Sequence, residues 1–448
     1  MNDARWFLIL SVLLAACGSE VSSSSADAAA VPDADVSVDV ATIDVSLDED
    51  VTTPDVTVDS SSIADTATPV TPQFELPDLT GARTDSVIAM PGLVGVQPAV
   101  AVGQDGQPLV IFTATPGAEG DLSIYASFAG QETQVLKSEP PGQRNEPSVC
   151  RLSDGGFVAA WSYDGQAVGN TLGVEGAVLD AGGALVTTFV VTTEVDGNHW
   201  LGHVGCDPSG GFTVVGSRTD TDDTTFGVFA LAYNAAGEPL GDAFGVNPTP
   251  EGTQVQPVAG IGPDGSGVVL YEDAPEDGNY VLTARGFDGS GTVGETFVVL
   301  AQAGVDCLKP AVAVSPGGVV AYAGNLGTQV HVLTAPSAAE PQPTVTWLET
   351  TGSKGLPAIT FVGGDDVLAV AMIENLTGAG EPKVQVQLLG DEVDSATGTV
   401  LLGSDPTLPP YPPAIAYAAG TLAVAWTQRT EDGYEIHLSR FEAEPAAE

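Results

Sequence analysis

The chain has 448 residues, with 59 acidic side chains against 12 basic ones, a net charge of −47, 54 glycines and 32 prolines. So acidic a balance excludes a nucleic-acid binder, because phosphate contacts need Lys and Arg to release counterions. The glycine and proline content, the abundance of Val and Thr and the lack of any long stretch with apolar residues at helical spacing exclude a helical fold. They predict short strands joined by tight turns.

Met1 to Arg5 forms a short n-region, and Trp6 to Leu14 an apolar segment too short to span a bilayer as a mature helix. Leu14-Ala15-Ala16-Cys17 follows. The stretch resembles a bacterial lipoprotein signal with its lipobox, although Asp3 offsets Arg5 in the n-region. The resemblance implies a signal peptide over 1–16, cleavage before Cys17 and a diacylglycerol on its thiol. It places the protein in the cell envelope, held to the membrane by its N-terminal lipid. Gly18 and Ser19 follow the cysteine with no Asp immediately after it, which by analogy with enterobacterial sorting favours the outer membrane.

Residues 17–82 read as the lipidated cysteine followed by a disordered linker. The segment is built from Asp, Val, Ser, Thr, Ala and Pro, with no Lys or Arg between Arg5 and Arg83 and no aromatic residue before Phe74. Repeated like charge and few large side chains leave too little surface to offset the cost of ordering. A flexible tether of this length spans roughly 45 Å.

A repeat then occupies residues 83–442, ahead of a short tail at 443–448. Its inner hairpin turns fall at Asp105-Gly106, Asp154-Gly155, Ser209-Gly210, Asp264-Gly265, Gly317-Gly318, Gly364-Asp365 and Ala419-Gly420, spaced by roughly 50 residues. Six units place a proline before the turn, at Pro98, Pro147, Pro257, Pro310, Pro357 and Pro413, and the third has Gly202 instead. These prolines are read as the beginnings of first strands, where no ladder donor is needed. Second strands close on Phe112, Trp161, Tyr271 and Trp426, large aromatics suited to wedge between neighbouring sheets. The pattern predicts a seven-bladed β-propeller of four-stranded antiparallel blades. The seventh unit stops after its third strand, so an orphan strand at Ser86 to Met90 is expected to complete that blade and close the ring.

The stretches DGGFVAAW, GVFALAYNAAGEPLGDAFGVN, PVAGIG and PAVAVS resemble a repeat of predicted lipoproteins and surface proteins of myxobacteria and related bacteria. The resemblance covers most of residues 85–441 and implies a structural class without a chemistry.

In a propeller the loops from fourth to first and from second to third strands share the face where ligands usually bind. That face is expected to carry Asp164, Trp200, Asp220, Asp222, Asp223, Glu272, Asp273 and Asp277. The acids supply oxygen ligands suited to calcium, with Asp220, Asp222 and Asp223 the weak candidates, although no EF-hand loop or Asp-rich nonapeptide is present. Otherwise no cofactor is expected. His199, His203 and Cys206 read H-x3-H-x2-C, residue types that serve zinc, but without an evident fourth ligand. The preferred use of Cys206 is a disulfide to Cys150 on the adjacent first strand, leaving Cys307 free or exchanged into the pair.

No GxSxG elbow, phosphate-binding loop or HExxH pair occurs, and no catalytic residue is assigned. The main expectation is a non-catalytic binding or interaction module for an unidentified protein or glycan. The alternative is a carbohydrate-active hydrolase, sialidase-like or with paired carboxylates, on the same scaffold.

Overall fold

A computed structural model describes residues 75–444 apart from 82, 89–92, 116–120, 130, 140, 166–170, 192–198, 220–225, 249–250, 276–277, 290, 377–381, 391–392, 394–397, 404–410 and 432. The signal, Cys17 and nearly all of the acidic linker lie outside the described residues. The structure is all β, and no helix among the described residues is long and apolar enough to cross a membrane.

Among the described residues twenty-eight strands, numbered β1 to β28 in chain order, form antiparallel four-stranded units. The first strands are β2 (Val94–Val102), β6 (Gln143–Arg151), β10 (His199–Cys206), β14 (Thr253–Ile261), β18 (Cys307–Val314), β22 (Lys354–Phe361) and β26 (Ala414–Ala418). Each touches the next, and β26 returns to β2, so they form the inner ring of the propeller. Five sheets hold four strands each, and a sixth holds eight. The eight-stranded sheet is two such units linked by a single parallel pair, Phe226 with Thr253. Its first half is thin at the outside, where β13 (Phe244–Gly245) is only two residues long.

The chain ends meet within one sheet. β1 (Arg83–Val87) pairs antiparallel with β28 (Gly433–Glu442), from Arg83 opposite Phe441 to Val87 opposite His437. The N-terminal strand thus supplies the outer strand of the last blade, three residues earlier than the apolar run at Ser86 suggests.

The aromatics at the ends of second strands pack as wedges. Phe112, Trp161 and Tyr271 are fully buried and Trp426 nearly so. Trp161 shares a buried cluster with Ile111 and Ile124 of the preceding blade, and Phe112 shares one with Ala423 and Ile436 across the closure. Burying one such ring contributes about 1.5–3 kcal/mol.

Pro413 directly precedes β26, as expected of a strand's beginning, but the other five prolines are not strand beginnings. Pro98, Pro147, Pro257, Pro310 and Pro357 stand inside first strands, each within a β-bulge at which pairing with the second strand shifts. The preceding residues, Gln97, Glu146, Gln256, Lys309 and Leu356, all have φ between 54° and 58°. Proline disfavours the right-handed helical conformation for the residue before it. These five adopt the left-handed one, at a cost of about 1–3 kcal/mol each that the surrounding sheet must absorb. Proline lacks a ladder donor, and a bulge is where a strand can do without one.

Cys150 and Cys206 are joined by a disulfide with Cα atoms 5.6 Å apart, tying the first strands of the second and third blades. Cys307 is free and buried. Closing a loop of 56 residues removes unfolded-state freedom, so replacing both bridged cysteines with Ala is expected to cost about 2–4 kcal/mol. Urea denaturation of the variant beside the native chain measures this.

Candidate functional site

The bulges put one residue from each of five blades on the ring of first strands. Four of the five left-handed positions are polar: Gln97, Glu146, Gln256 and Lys309. They are bound to neighbouring blades by a recurring device. The amides of three bulge residues donate to a side chain of the second strand of the blade before: Gln97 N to Thr427 Oγ1 at 3.2 Å, Lys309 N to Glu272 Oε1 at 2.8 Å, and Leu356 N to Asn325 Oδ1 at 3.1 Å. Glu146 N donates instead to Gln97 Oε1 at 3.2 Å. The acceptors Thr427 and Glu272 each follow the wedge aromatic of their second strand, and Asn325 holds the matching register. A buried amide left without an acceptor costs about 1–3 kcal/mol, so this position must be polar.

Glu146 is the one acid among these five residues. Its side chain is solvent-exposed. Glu146 on β6 and Lys309 on β18 act on each other across the ring of first strands, and nearby protein disfavours the carboxylate's charge. That desolvation raises its pKa, against the opposing pull of the Lys309 ammonium and of the Ser162 hydroxyl, which donates to Oε2 at 3.4 Å.

Glu272 feels the same ammonium but is a different kind of group. It is only 2% exposed, and burial pushes its carboxyl up to about 7, countered by Lys309 and by the Lys309 amide it accepts. The expectation of a ligand-face residue is therefore corrected. Glu272 holds a bulge in place, and its acidity is a consequence of that burial.

Ionisation of Glu272 should destabilise the fold. Its reference value is 4.5, so the stability is fully present below that pH and is lost as pH rises through about 7. Glu272→Gln keeps an acceptor without the charge. The variant is expected to gain on the native chain by on the order of 3 kcal/mol between pH 4.5 and 8, read from chemical denaturation across that range. His203 works in the opposite sense: burial lowers it to about 4, and its stabilisation is lost as pH falls from 6.5. Both proteins share that term, so the difference isolates Glu272.

The second blade also holds a buried ion pair. Arg144 is fully buried, and its Nε meets Glu175 Oε2 at 3.0 Å. Trp161 Nε1 donates to the same oxygen at 3.0 Å, and the guanidinium carbon lies 4.3 Å from the centre of the Tyr163 ring. The pairing of Arg144 with a glutamate two strands away has no local signal.

The remaining predicted residues divide. Asp164 is half-buried near the end of β7 (Phe157–Gly165), and burial raises its pKa. Asp273 accepts from Gln254 Nε2 at 3.0 Å and from Thr283 Oγ1 at 3.4 Å, within a hydrogen-bonded cluster of the fourth blade. Trp200 lies on β10, and its backbone pairs with Ser217. Asp220, Asp222, Asp223 and Asp277, and with them the calcium candidates, lie outside the described residues. Among the described residues no group of three or more His, Cys, Asp or Glu side chains is placed to hold a metal. The zinc reading of His199, His203 and Cys206 is corrected directly: Cys206 is consumed by the disulfide, and His203 Nδ1 accepts the Ala259 amide at 3.2 Å.

No family model and no curated protein matches the chain. Solved structures do. A protein of unknown function from Dyadobacter fermentans has a TM-score of 0.50 at 13% identity, covering 84% of this chain and 100% of its own. The sialidase of Trypanosoma rangeli, bound to the inhibitor DANA, has a TM-score of 0.49 at 11% identity over 80% of this chain; the match spans only 59% of the sialidase. An α-L-arabinofuranosidase of Fusarium graminearum bound to an iminosugar inhibitor has a TM-score of 0.45 at 11% identity, covering 69% of this chain and 98% of its own. At these identities the likeness is one of fold. The expectation of a propeller without catalytic activity is nonetheless corrected. Where the matched structures carry a named activity, it is that of a sialidase or an α-L-arabinofuranosidase.

Proposed function

We propose that the protein is a glycoside hydrolase, anchored to the cell envelope through a lipid on Cys17, whose site is an axial channel inside the ring of first strands and whose proton donor is Glu146. One observation carries the reading: Glu146 is open to solvent, yet nearby protein favours its protonated form. Glycoside cleavage needs such an acid at the leaving oxygen and a second carboxylate across the sugar. The acidic residues toward the same ends of the strands, of which Asp164 and Asp273 are described, are the source from which that second group is drawn.

Lys309 has a supporting part. Its ammonium lies within electrostatic reach of Glu146 and opposes the rise that desolvation causes. The pH profile tests the role of Glu146. As a group active when protonated and raised above 4.5, it predicts kcat/KM that falls on the alkaline side, with a midpoint above that value. A profile flat through that region would remove the assignment. The anchor is tested separately by mass spectrometry of the mature N-terminal peptide. A diacylglyceryl group on Cys17 is expected, and an unmodified cysteine would contradict it.

A further inference from the structure

The outer strands differ in one respect. Every blade shows solvent the free edge of its fourth strand, which proteins normally protect with charge or shortness. β5 (Gln134–Lys137) carries Lys137, β17 (Val293–Leu300) carries Glu295, β21 (Val345–Glu349) carries Glu349, and β1 carries Arg83 and Asp85. β13 has two residues and β25 (Thr399–Leu402) has four. The exception is β9 (Leu185–Val190), six residues reading LVTTFV, with no charge and no proline. Val186 is 63% exposed and Val190 54%, and β9 pairs only with β8 (Thr171–Leu179), leaving its other edge open.

We infer that β9 is a self-association edge, at which a second copy of this chain pairs antiparallel and extends the second blade into a sheet across two subunits. Two arguments select a second copy. With a net charge of −47, two copies repel over most of their surfaces and approach most readily where neither carries charge. The strand is also self-complementary. Turned about a two-fold axis through Thr188, it sets that residue opposite its own copy, Thr187 opposite the partner's Phe189 and Val186 opposite the partner's Val190. The pairing with β8 shifts at Val186, so the regular part of the edge is Thr187–Val190, centred near the same axis. The contact is a single strand pair, well below the size of a stable interface, so the dimer is weak and crosslinking reads it best.

The test introduces Thr188→Cys in the full chain, with Val298→Cys as a control on an equally exposed outer strand, at 58%. After mild oxidation, non-reducing electrophoresis should show a disulfide dimer for Thr188→Cys and none for Val298→Cys. Adding Val186→Lys and Val190→Lys to Thr188→Cys should abolish the dimer without changing the melting temperature. A monomeric Thr188→Cys, equal dimer from both cysteine variants, or a dimer that survives the two lysines would each overturn the inference.

Discussion

Replacing Glu146 with Gln will lower kcat/KM for glycosides with poor leaving groups by about 10²–10⁴-fold, the range for loss of a general acid. The same variant should retain most of its rate on aryl glycosides whose leaving group departs without a proton, because the acid does nothing in that step. This split separates a proton donor from a residue that merely shapes the channel. The fold itself answers the concern that a left-handed backbone position tolerates no change. Gln97 and Gln256 occupy the same bulge in the first and fourth blades with φ of 55° and 54°, against 55° for Glu146. Gln is therefore a native residue of this position, and the melting temperature should be unaltered. Equal losses on both kinds of substrate would show that Glu146 binds and does not donate.

The largest effect on stability is expected at Arg144. Removing the guanidinium, as in Arg144→Met, leaves Glu175 buried with only the Trp161 indole as a charge-stabilising partner. Breaking a buried pair from one side costs about 3–5 kcal/mol. Substituting both residues, Arg144→Met with Glu175→Gln, removes the stranded charge while Gln still accepts the indole proton. The double variant should therefore recover much of the loss. Equilibrium denaturation of the two single variants and the double forms the cycle, and additive losses would show that the two side chains act independently.

How much of this was legible before the structure follows from what kind of signal each feature leaves. The blades were legible because turn residues and wedge aromatics repeat, and repetition averages away local ambiguity: Asp154-Gly155 and Trp161 gain meaning from Asp264-Gly265 and Tyr271. The closure was legible from a missing strand at one end and a surplus one at the other, which β1 and β28 resolve. The bulges were not, since proline before an apolar run reads equally as a strand's start. Comparing the column before those prolines, Gln97, Glu146, Gln256, Lys309 and Leu356, shows polar residues at four of five positions inside apolar strands. That was the available sign of the channel. The column after the aromatics, Thr113, Ser162, Glu272 and Thr427, is likewise polar; two of its members, Glu272 and Thr427, cap bulge amides, which shows why Glu272 was mistaken for a surface acid. The Arg144–Glu175 pair left no sign, because its partners are 31 residues apart and meet only through strand register.

The identity of the channel as a catalytic site is tested most directly by following anomeric protons with NMR while the full chain acts on a panel of neutral and acidic oligosaccharides. The account predicts new reducing-end signals from at least one oligosaccharide, and their absence when Glu146→Gln replaces the native chain. Unchanged spectra across the panel from the native chain between pH 4 and 8, or equal cleavage by the variant, would contradict it.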